Sequence, residues 1–322
     1  MMPNANTPLR RLPLPVPPVA NESATSYLRR LAAVNHVHID DLEDMITIGK
    51  KNPLASRKRP VDPARLGLIT GYSPGRLAEA LPDLAERNTR IMRRLPRPRP
   101  ACPSCVRRHR GGPVEIYLPD HRHVCIRHNI WLGSLGPAND AWPDSRDPVD
   151  VNPLPTVRAA QRCHQRLVRR YGEKAAEYAV RTAREVWDRA NQTHFLGRHE
   201  WKLLEIFRPG AREVSTRDPL AHAIRYPSIV TIAGVLASPH WQQKASFWDT
   251  KQQAFDEIGR RIGQRDYGWH PWKRHPLTYW AEELEHERTR AGWETDRYRF
   301  FGETRRQTST WLWTTTPERS TP

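Results

Sequence analysis

Two short pairs of metal-binding residues constrain the fold of this chain more than any other sequence feature. Cys102 and Cys105 are separated by two residues, and Cys125 and His128 repeat that spacing after nineteen intervening residues. Zn²⁺ prefers four soft or borderline ligands at tetrahedral angles, and two tight turns can each supply two of them. The pattern therefore predicts one structural zinc ion held by these four side chains.

A site with four protein ligands has no open position for an activated water, so the predicted ion would stabilise the fold rather than catalyse a reaction. Ordinary buried thiols are the alternative interpretation. His121 and His123 could each replace one ligand, although either would break the paired geometry. Cys163 and His164 are adjacent on a predicted helix, where neighbouring side chains point in different directions. Cys163 is therefore predicted to be a core thiol.

The charge of the chain points to a polyanionic partner. There are 52 lysines and arginines against 35 acidic residues, a formal net charge of +17. Such a surplus repels itself unless polyanions are near, which makes nucleic acid the leading partner and an anionic membrane surface the second. No window approaches the roughly 20 apolar residues that span a bilayer, and residues 1–18 lack the apolar core of a signal peptide. Cysteines clustered beside a histidine suit a reducing compartment. We therefore expect a cytoplasmic protein that does not enter a membrane.

A helix-turn-helix pattern precedes the cysteine pairs. Asp62 is predicted to cap one short helix, Gly71 to follow its end, and Ser73 to cap the next. Many helical cores contain the same pattern without binding DNA, so that alternative stays open. If the motif binds DNA, Ser73 and Arg76 would face a groove and Arg65 would contact a phosphate.

A basic stretch between Arg87 and Arg110 is the predicted source of DNA affinity, because it holds nine arginines and no acidic residue. Arginines there would release counterions from DNA whatever its sequence. A merely solvated face is the alternative, although such faces usually alternate acids with bases. The arginines assigned to DNA contact in this stretch are Arg90, Arg93, Arg94, Arg107 and Arg108.

A first helix is predicted after Asn21, with a polar cap and an acidic residue at its start. Tyr27 and Leu31 mark its apolar face, whereas Arg29 and Arg30 are placed on the opposite face. Asn35 would end this helix. Further helices are predicted at residues 157–171, 173–191, 200–207, 219–236 and 248–262, and the residues after them are not assigned to an element.

These patterns together predict a mainly α fold with an N-terminal helix-turn-helix-like module, a small zinc-held β-hairpin element and a helical C-terminal domain. The hairpin would pair residues 114–118 with residues 121–125. The tryptophans near the C-terminus are interpreted as core residues or protein-interface anchors rather than base-stacking platforms. The predicted parts are an extended Pro-rich arm (1–20), the helix-turn-helix-like module (21–100), the zinc-binding element (101–136), a linker (137–155) and the helical C-terminal domain with its Trp-rich tail (156–322).

The order of motifs along residues 9–135 adds to this interpretation. A Pro-rich arm comes first, and the last motif is Cys102-x-x-Cys105 with Cys125-x-x-His128-Asn129-x-x-Leu132. This order resembles the TniQ family of transposition proteins. Two departures are that Asn21 stands where the family often has glycine, and that no second cysteine pair follows His128. The motifs between are Asn21-Glu22-Ser23, Ser26-Tyr27-Leu28-Arg29-Arg30-Leu31-Ala32, Asn35, and Leu66 with Thr70-Gly71-Tyr72.

The resemblance implies a non-catalytic factor that helps to select the insertion site of a transposon. Such a protein would contact DNA or a DNA-bound complex and recruit an AAA-type ATPase that engages the transposase, and some members of the family are homodimers. The absence of a Gly-rich phosphate loop, of G-x-S-x-G and of H-E-x-x-H agrees with a protein that is not an enzyme. A stand-alone zinc-containing helix-turn-helix transcription regulator is the alternative function.

Overall fold

A computed structural model describes most of the chain and divides it into two compact units, residues 1–120 and 121–322. Helices dominate the described residues, and the strands are short, so the predicted mainly α fold is confirmed. The finer five-part division remains a prediction. The described residues are 9–47, 60–85, 95, 97–133, 148–191, 196–215, 218–263 and 275–301, with side chains in the last range described through residue 290.

The N-terminal unit consists of short helices whose ends are set by local capping. Ser23 Oγ accepts a hydrogen bond from the Ser26 amide at 3.1 Å at the start of α1. Gly71 ends α3 with φ of 77°, a left-handed conformation that glycine adopts without steric cost. The elements are α1 (Ala24–Asn35), α2 (Ile39–Ile46), α3 (Pro63–Thr70), α4 (Pro74–Ala80), α5 (Pro82–Ala85) and α6 (Pro103–Val106), with antiparallel strands β1 (Arg99–Pro100) and β2 (Glu115–Ile116).

The two helices of the predicted helix-turn-helix are present. Asp62 Oδ1 accepts from the Ala64 amide at 2.9 Å, and Ser73 Oγ accepts from the Arg76 amide at 3.3 Å. The predicted caps and the glycine turn between α3 and α4 are therefore confirmed as local structure. Their action as a DNA-binding motif stays a prediction.

A buried ion pair occupies the middle of the N-terminal unit. Arg30 Nε donates to Glu22 Oε1 at 2.8 Å and Nη2 donates to Oε2 at 2.7 Å, and both side chains are fully buried. The same guanidinium donates to the carbonyls of Arg110 and Pro17 at 2.9 and 3.0 Å. The prediction that Arg30 shares the solvent-exposed face with Arg29 is wrong, because this set of acceptors compensates the buried charge.

The described part of the predicted arm, residues 9–20, contains no helix and lies along the N-terminal unit. Val16 is buried in its hydrophobic core. The amide of Leu14 donates to Asn35 Oδ1, and Asn35 Nδ2 donates back to the Leu14 carbonyl, both at 3.0 Å. The side chain of Asn35 therefore holds the extended segment against the end of α1.

The C-terminal unit packs long helices around α10, which is buried on most sides. Every helix predicted in this region is present, with ends shifted by a few residues, whereas α11 and α13 were not predicted. Trp280 on α13 is buried, which agrees with its interpretation as a core residue. The side chains of Trp269, Trp272, Trp293, Trp311 and Trp313 lie outside the described part of the chain. The elements are β3 (Val124–Cys125), β4 (Ile130–Trp131), β5 (Val149–Asp150), α7 (Pro155–Tyr171), α8 (Glu173–Ala190), α9 (Arg198–Phe207), α10 (Pro219–Leu236), α11 (Pro239–Ala245), α12 (Lys251–Ile262) and α13 (Pro276–Phe301).

Within the described ranges, no single helix has the length and apolar character to cross a bilayer. The helices α10 and α11 reach the length and apolar composition of a membrane span only when they are taken together, and they are bent by 71° relative to each other.

The predicted hairpin of residues 114–118 with residues 121–125 is wrong. In the structure β2 pairs with β1, and β3 pairs with β4 and through it with β5, all antiparallel. A two-residue hairpin turn needs positive φ at its central positions, whereas Pro119 would fix φ near −65° at the first of them. The β1–β2 pairing therefore encloses the first ligand pair and the β3–β4 pairing joins the strands at the second, and neither crosses Pro119 and Asp120.

Candidate metal centre

The four predicted zinc ligands lie together. One ligand atom from each of Cys102, Cys105, Cys125 and His128 lies within 4.8 Å of all the others. Cys125 Sγ and His128 Nδ1 are 3.6 Å apart. Thiolates about 2.3 Å from a zinc ion at tetrahedral angles are about 3.8 Å from one another, so the group has the donor atoms and the spacing of a zinc site. Among the residues that the structure describes, it is the only such group of three or more.

The first ligand pair sits on a tight turn. The amides of Cys105 and Val106 both donate to the Cys102 carbonyl, at 3.0 and 3.1 Å, and Pro103 starts the short helix α6. The amide of Ala101 donates to the Val114 carbonyl at 2.8 Å, next to the β1–β2 pairing. The strand pair thus closes the loop that presents both thiols. The spacing of the cysteines predicts the two thiol ligands but not this supporting strand pair.

The second ligand pair sits on the turn between β3 and β4. The His128 amide donates to the Cys125 carbonyl at 3.2 Å. Asn129 follows in the left-handed region with φ of 52°, which asparagine tolerates better than most residues. Its carbonyl accepts from the Val151 amide at 2.7 Å beside β5. Asn129 therefore turns the chain back directly after the histidine ligand.

The alternative ligands His121 and His123 do not join the group. The ring of His123 is buried and stacked on those of Trp131 and His164, each at 5.7 Å between centroids. His121 Nδ1 lies 3.7 Å from a carboxylate oxygen of Glu173. Burial lowers the pKa of His164 to about 4, so this side chain is neutral at physiological pH. The imidazoles form part of an aromatic cluster in the C-terminal unit.

Gln161 supports the second ligand pair, and no sequence motif indicates this role. Its Oε1 accepts from the amides of His123 and Val124 at 2.8 and 2.9 Å, and its Nε2 donates to the His121 carbonyl at 2.7 Å. Three hydrogen bonds from one buried amide fix the strand that leads to Cys125. No local pattern distinguishes this glutamine from a solvent-exposed one, because its partners lie far away in sequence.

The fourth cysteine is not part of the metal group. Cys163 lies on α7 with a partly buried thiol, and Arg166 Nη2 lies 2.9 Å from its Sγ. The predicted separation of Cys163 from the metal ligands is confirmed. A substitution at this position therefore provides a control that removes a thiol without removing a ligand.

The residues predicted to contact DNA near α3 and α4 have local structural roles. Arg65 Nη1 donates weakly to the Met45 carbonyl at 3.4 Å, and the hydroxyl of Ser73 is occupied in capping α4. The guanidinium of exposed Arg76 lies over the Tyr72 ring at 5.2 Å. DNA contact by these side chains remains a prediction.

The predicted contacts in the basic stretch are described only in part. Arg107 and Arg108 are exposed directly after α6, beside the first ligand pair. Arg99, in the same stretch, is instead held by the Leu118 carbonyl at 3.3 Å, and burial lowers the pKa of its guanidinium. The predicted contacts Arg90, Arg93 and Arg94 lie outside the described residues.

The fold and the site define a mainly helical protein with a three-cysteine, one-histidine centre that can hold a metal ion. Residues 13–132 match the model of the TniQ family, a stretch of 120 of the 322 residues that includes all four ligands. This stretch is therefore similar to the TniQ family, in agreement with the order of its sequence motifs. No curated protein and no solved structure matches the chain.

Proposed function

We propose that this chain is a non-catalytic accessory protein of DNA transposition that takes part in target-site selection. The observation that carries the proposal is the TniQ match over residues 13–132, which spans both ligand pairs. The proposed action is to bind DNA or a DNA-bound complex and to recruit an AAA-type ATPase that regulates the transposase. Homodimer formation belongs to the same proposal, as some TniQ proteins are dimers.

The metal centre supports a structural rather than a catalytic role for the bound ion. We assign one Zn²⁺ to Cys102, Cys105, Cys125 and His128, because three thiolates and one imidazole match the ligand preference of zinc. Four protein ligands complete a tetrahedron, so the ion would provide folding energy and no activated water. The alternative of a stand-alone transcription regulator is not favoured, since the matched family is associated with transposition.

Insertion mapping tests the proposed function. Cells that carry the transposon ends, the transposase and the ATPase would be compared with and without this chain, and insertion junctions would be sequenced. We expect loss of the chain to abolish insertion at the preferred sites or to scatter insertions across the genome. Identical insertion frequency and distribution in the two strains would contradict the proposal. Co-purification of the ATPase with the tagged chain tests the recruitment step separately.

Replacing Arg93 and Arg94 together by alanine is expected to flatten the salt dependence of DNA binding. Each lost phosphate contact lowers the slope of log K against log salt by about 0.9, so the pair should lower it by about 1.8. Fluorescence anisotropy over a salt series measures the slope. Replacing the exposed residues Lys202 and Arg212 by alanine also removes two positive charges, but from the C-terminal unit, and serves as the control. An unchanged slope in the first variant would show that these arginines do not contact phosphates.

A further inference from the structure

The outward face of α7 is a row of arginines. Four of them are spaced four residues apart, and a fifth lies between the last two. The opposite face, through Val157, Ala160 and His164, is buried in the C-terminal unit. Because four residues advance a helix by about 6 Å and only a little more than one turn, such a row forms a gently inclined ridge. The ridge consists of Arg158, Arg162, Arg166, Arg169 and Arg170.

The charge of α7 differs from that of its neighbour. α7 contains five arginines and no acidic residue, whereas α8 contains four basic and four acidic residues. Solvated helix faces usually alternate the two signs, as α8 does. Within the described part of the chain, no carboxylate forms an ion pair with any of the five guanidinium groups. Their positive charge is therefore not neutralised by these parts of the protein.

The chemistry of the ridge suits phosphates better than a protein surface. No large apolar side chain is exposed on α7, whereas protein interfaces are centred on apolar anchors. An amphipathic membrane helix would likewise need an exposed apolar face. Guanidinium groups bind phosphate oxygens in bidentate geometry and need no apolar neighbour.

A nearby cavity provides the strongest argument for a protein ligand. The cavity has a volume of about 690 Å³. Its lining includes the apolar side chains of Leu167 and Trp241 and the basic side chains of Arg166 and Arg170. An acidic protein segment would fit such a lining. However, the other three arginines of the ridge do not line the cavity. A cavity ligand would therefore leave most of the ridge unexplained.

We infer that the arginine ridge of α7 is a second DNA-contact surface, which binds the phosphate backbone of duplex DNA without reading its sequence. It lies outside residues 13–132, which match the TniQ model, so it would extend DNA contact into the C-terminal unit. The inference rests on the proposed function, because it assumes that the protein meets DNA during target selection. Its contribution would add to that of the basic stretch between Arg87 and Arg110.

Substitution of three exposed ridge residues, Arg162, Arg166 and Arg169, by alanine tests the inference. The probes are a short duplex DNA of arbitrary sequence and a single-stranded RNA of the same length, with the full-length protein at several salt concentrations. Loss of three contacts should lower the duplex salt slope by about 2.7 and weaken binding roughly tenfold or more. Alanine favours helix, so the circular dichroism spectrum should be unchanged.

Two matched variants separate charge from structure. Lysine at the same three positions keeps the charge, so most of the salt slope should remain. Alanine at Arg189, Arg198 and Arg212 removes three charges from elsewhere in the C-terminal unit, and its slope should match that of the unsubstituted protein. The inference is overturned if the ridge variant keeps its slope, or if RNA binds more tightly than duplex DNA. It is also overturned if the ridge variant loses only the co-purifying ATPase, since the ridge would then dock a protein.

The double variant Arg93→Ala plus Arg94→Ala distinguishes a failure of this inference from a failure of the proposed function. A reduced slope in that variant with an unchanged slope in the ridge variant would overturn the inference alone. The reverse result would support the ridge and contradict the proposed role of the basic stretch. If the unsubstituted protein does not bind duplex DNA, neither the basic stretch nor the arginine ridge is a DNA-contact surface. The insertion assay would still report separately on target selection.

Discussion

Cys105→Ala is expected to release the zinc ion and to unfold the segment from Cys102 to Leu132. Structural zinc contributes about 10–16 kcal/mol in zinc-finger peptides, which is comparable to the entire stability of a typical domain. A site reduced to three ligands would lose much of that free energy. The carbonyl of Arg110 is a partner of the buried Arg30 guanidinium, so disorder in this segment would also destabilise the N-terminal unit.

The measurements for this prediction are metal content and thermal unfolding. We expect one zinc per chain in the unsubstituted protein, none in Cys105→Ala, and a thermal midpoint lower by at least about 10 °C in the variant. DNA association should be lost indirectly with the fold. Cys163→Ala is the control, and it should retain the metal because Cys163 lies outside the ligand group. A Cys105→Ala protein with native circular dichroism, midpoint and DNA binding would show that the centre does not support the fold.

Arg30→Ala is expected to destabilise the protein by about 3–5 kcal/mol, because it leaves the carboxylate of Glu22 buried without its counter-ion. The loss would be visible as a lower denaturant midpoint. Arg29→Ala is a matched control at the next position. Arg29 pairs with Glu115 at 3.4 Å on the surface, and such exposed pairs contribute at most about 1 kcal/mol.

The Arg29→Ala control isolates the effect of burying and pairing the Arg30 guanidinium. Both variants remove one guanidinium from α1, so changes in net charge and helix propensity are shared. A difference of several kcal/mol would therefore report on burial and pairing alone. Equal stabilities for the two variants would mean that Arg30 is hydrated in solution, contrary to the buried geometry.

Features governed by neighbours in sequence could be predicted. The caps at Asp62 and Ser73 and the turn at Gly71 follow from local backbone chemistry, and the structure contains them. The ligand group could be predicted from spacing, because metal chemistry restricts which residues can combine. Cys163 could be excluded from it because Cys163 and His164 are neighbours on a helix and their side chains point in different directions.

Features governed by distant partners could not be predicted. Arg30 looks like a surface residue until the Pro17 and Arg110 carbonyls are known to meet it. Gln161 gives no signal in the sequence, because the amides that it binds lie more than thirty residues away. The strand pairing was predicted wrongly for a similar reason. Each strand can pair either with the strand adjacent in sequence or across a metal-binding loop, and only the tertiary fold decides between these two partners.

The hydrogen bonds of Arg30 make three separate stretches of the chain depend on one another. Neither the extended segment at Pro17 nor the loop at Arg110 can move away without depriving a buried cation of an acceptor. These stretches and α1 should consequently melt in one cooperative step instead of fraying independently. The described part of the Pro-rich segment is therefore an integral part of the folding unit and not a flexible attachment to its surface.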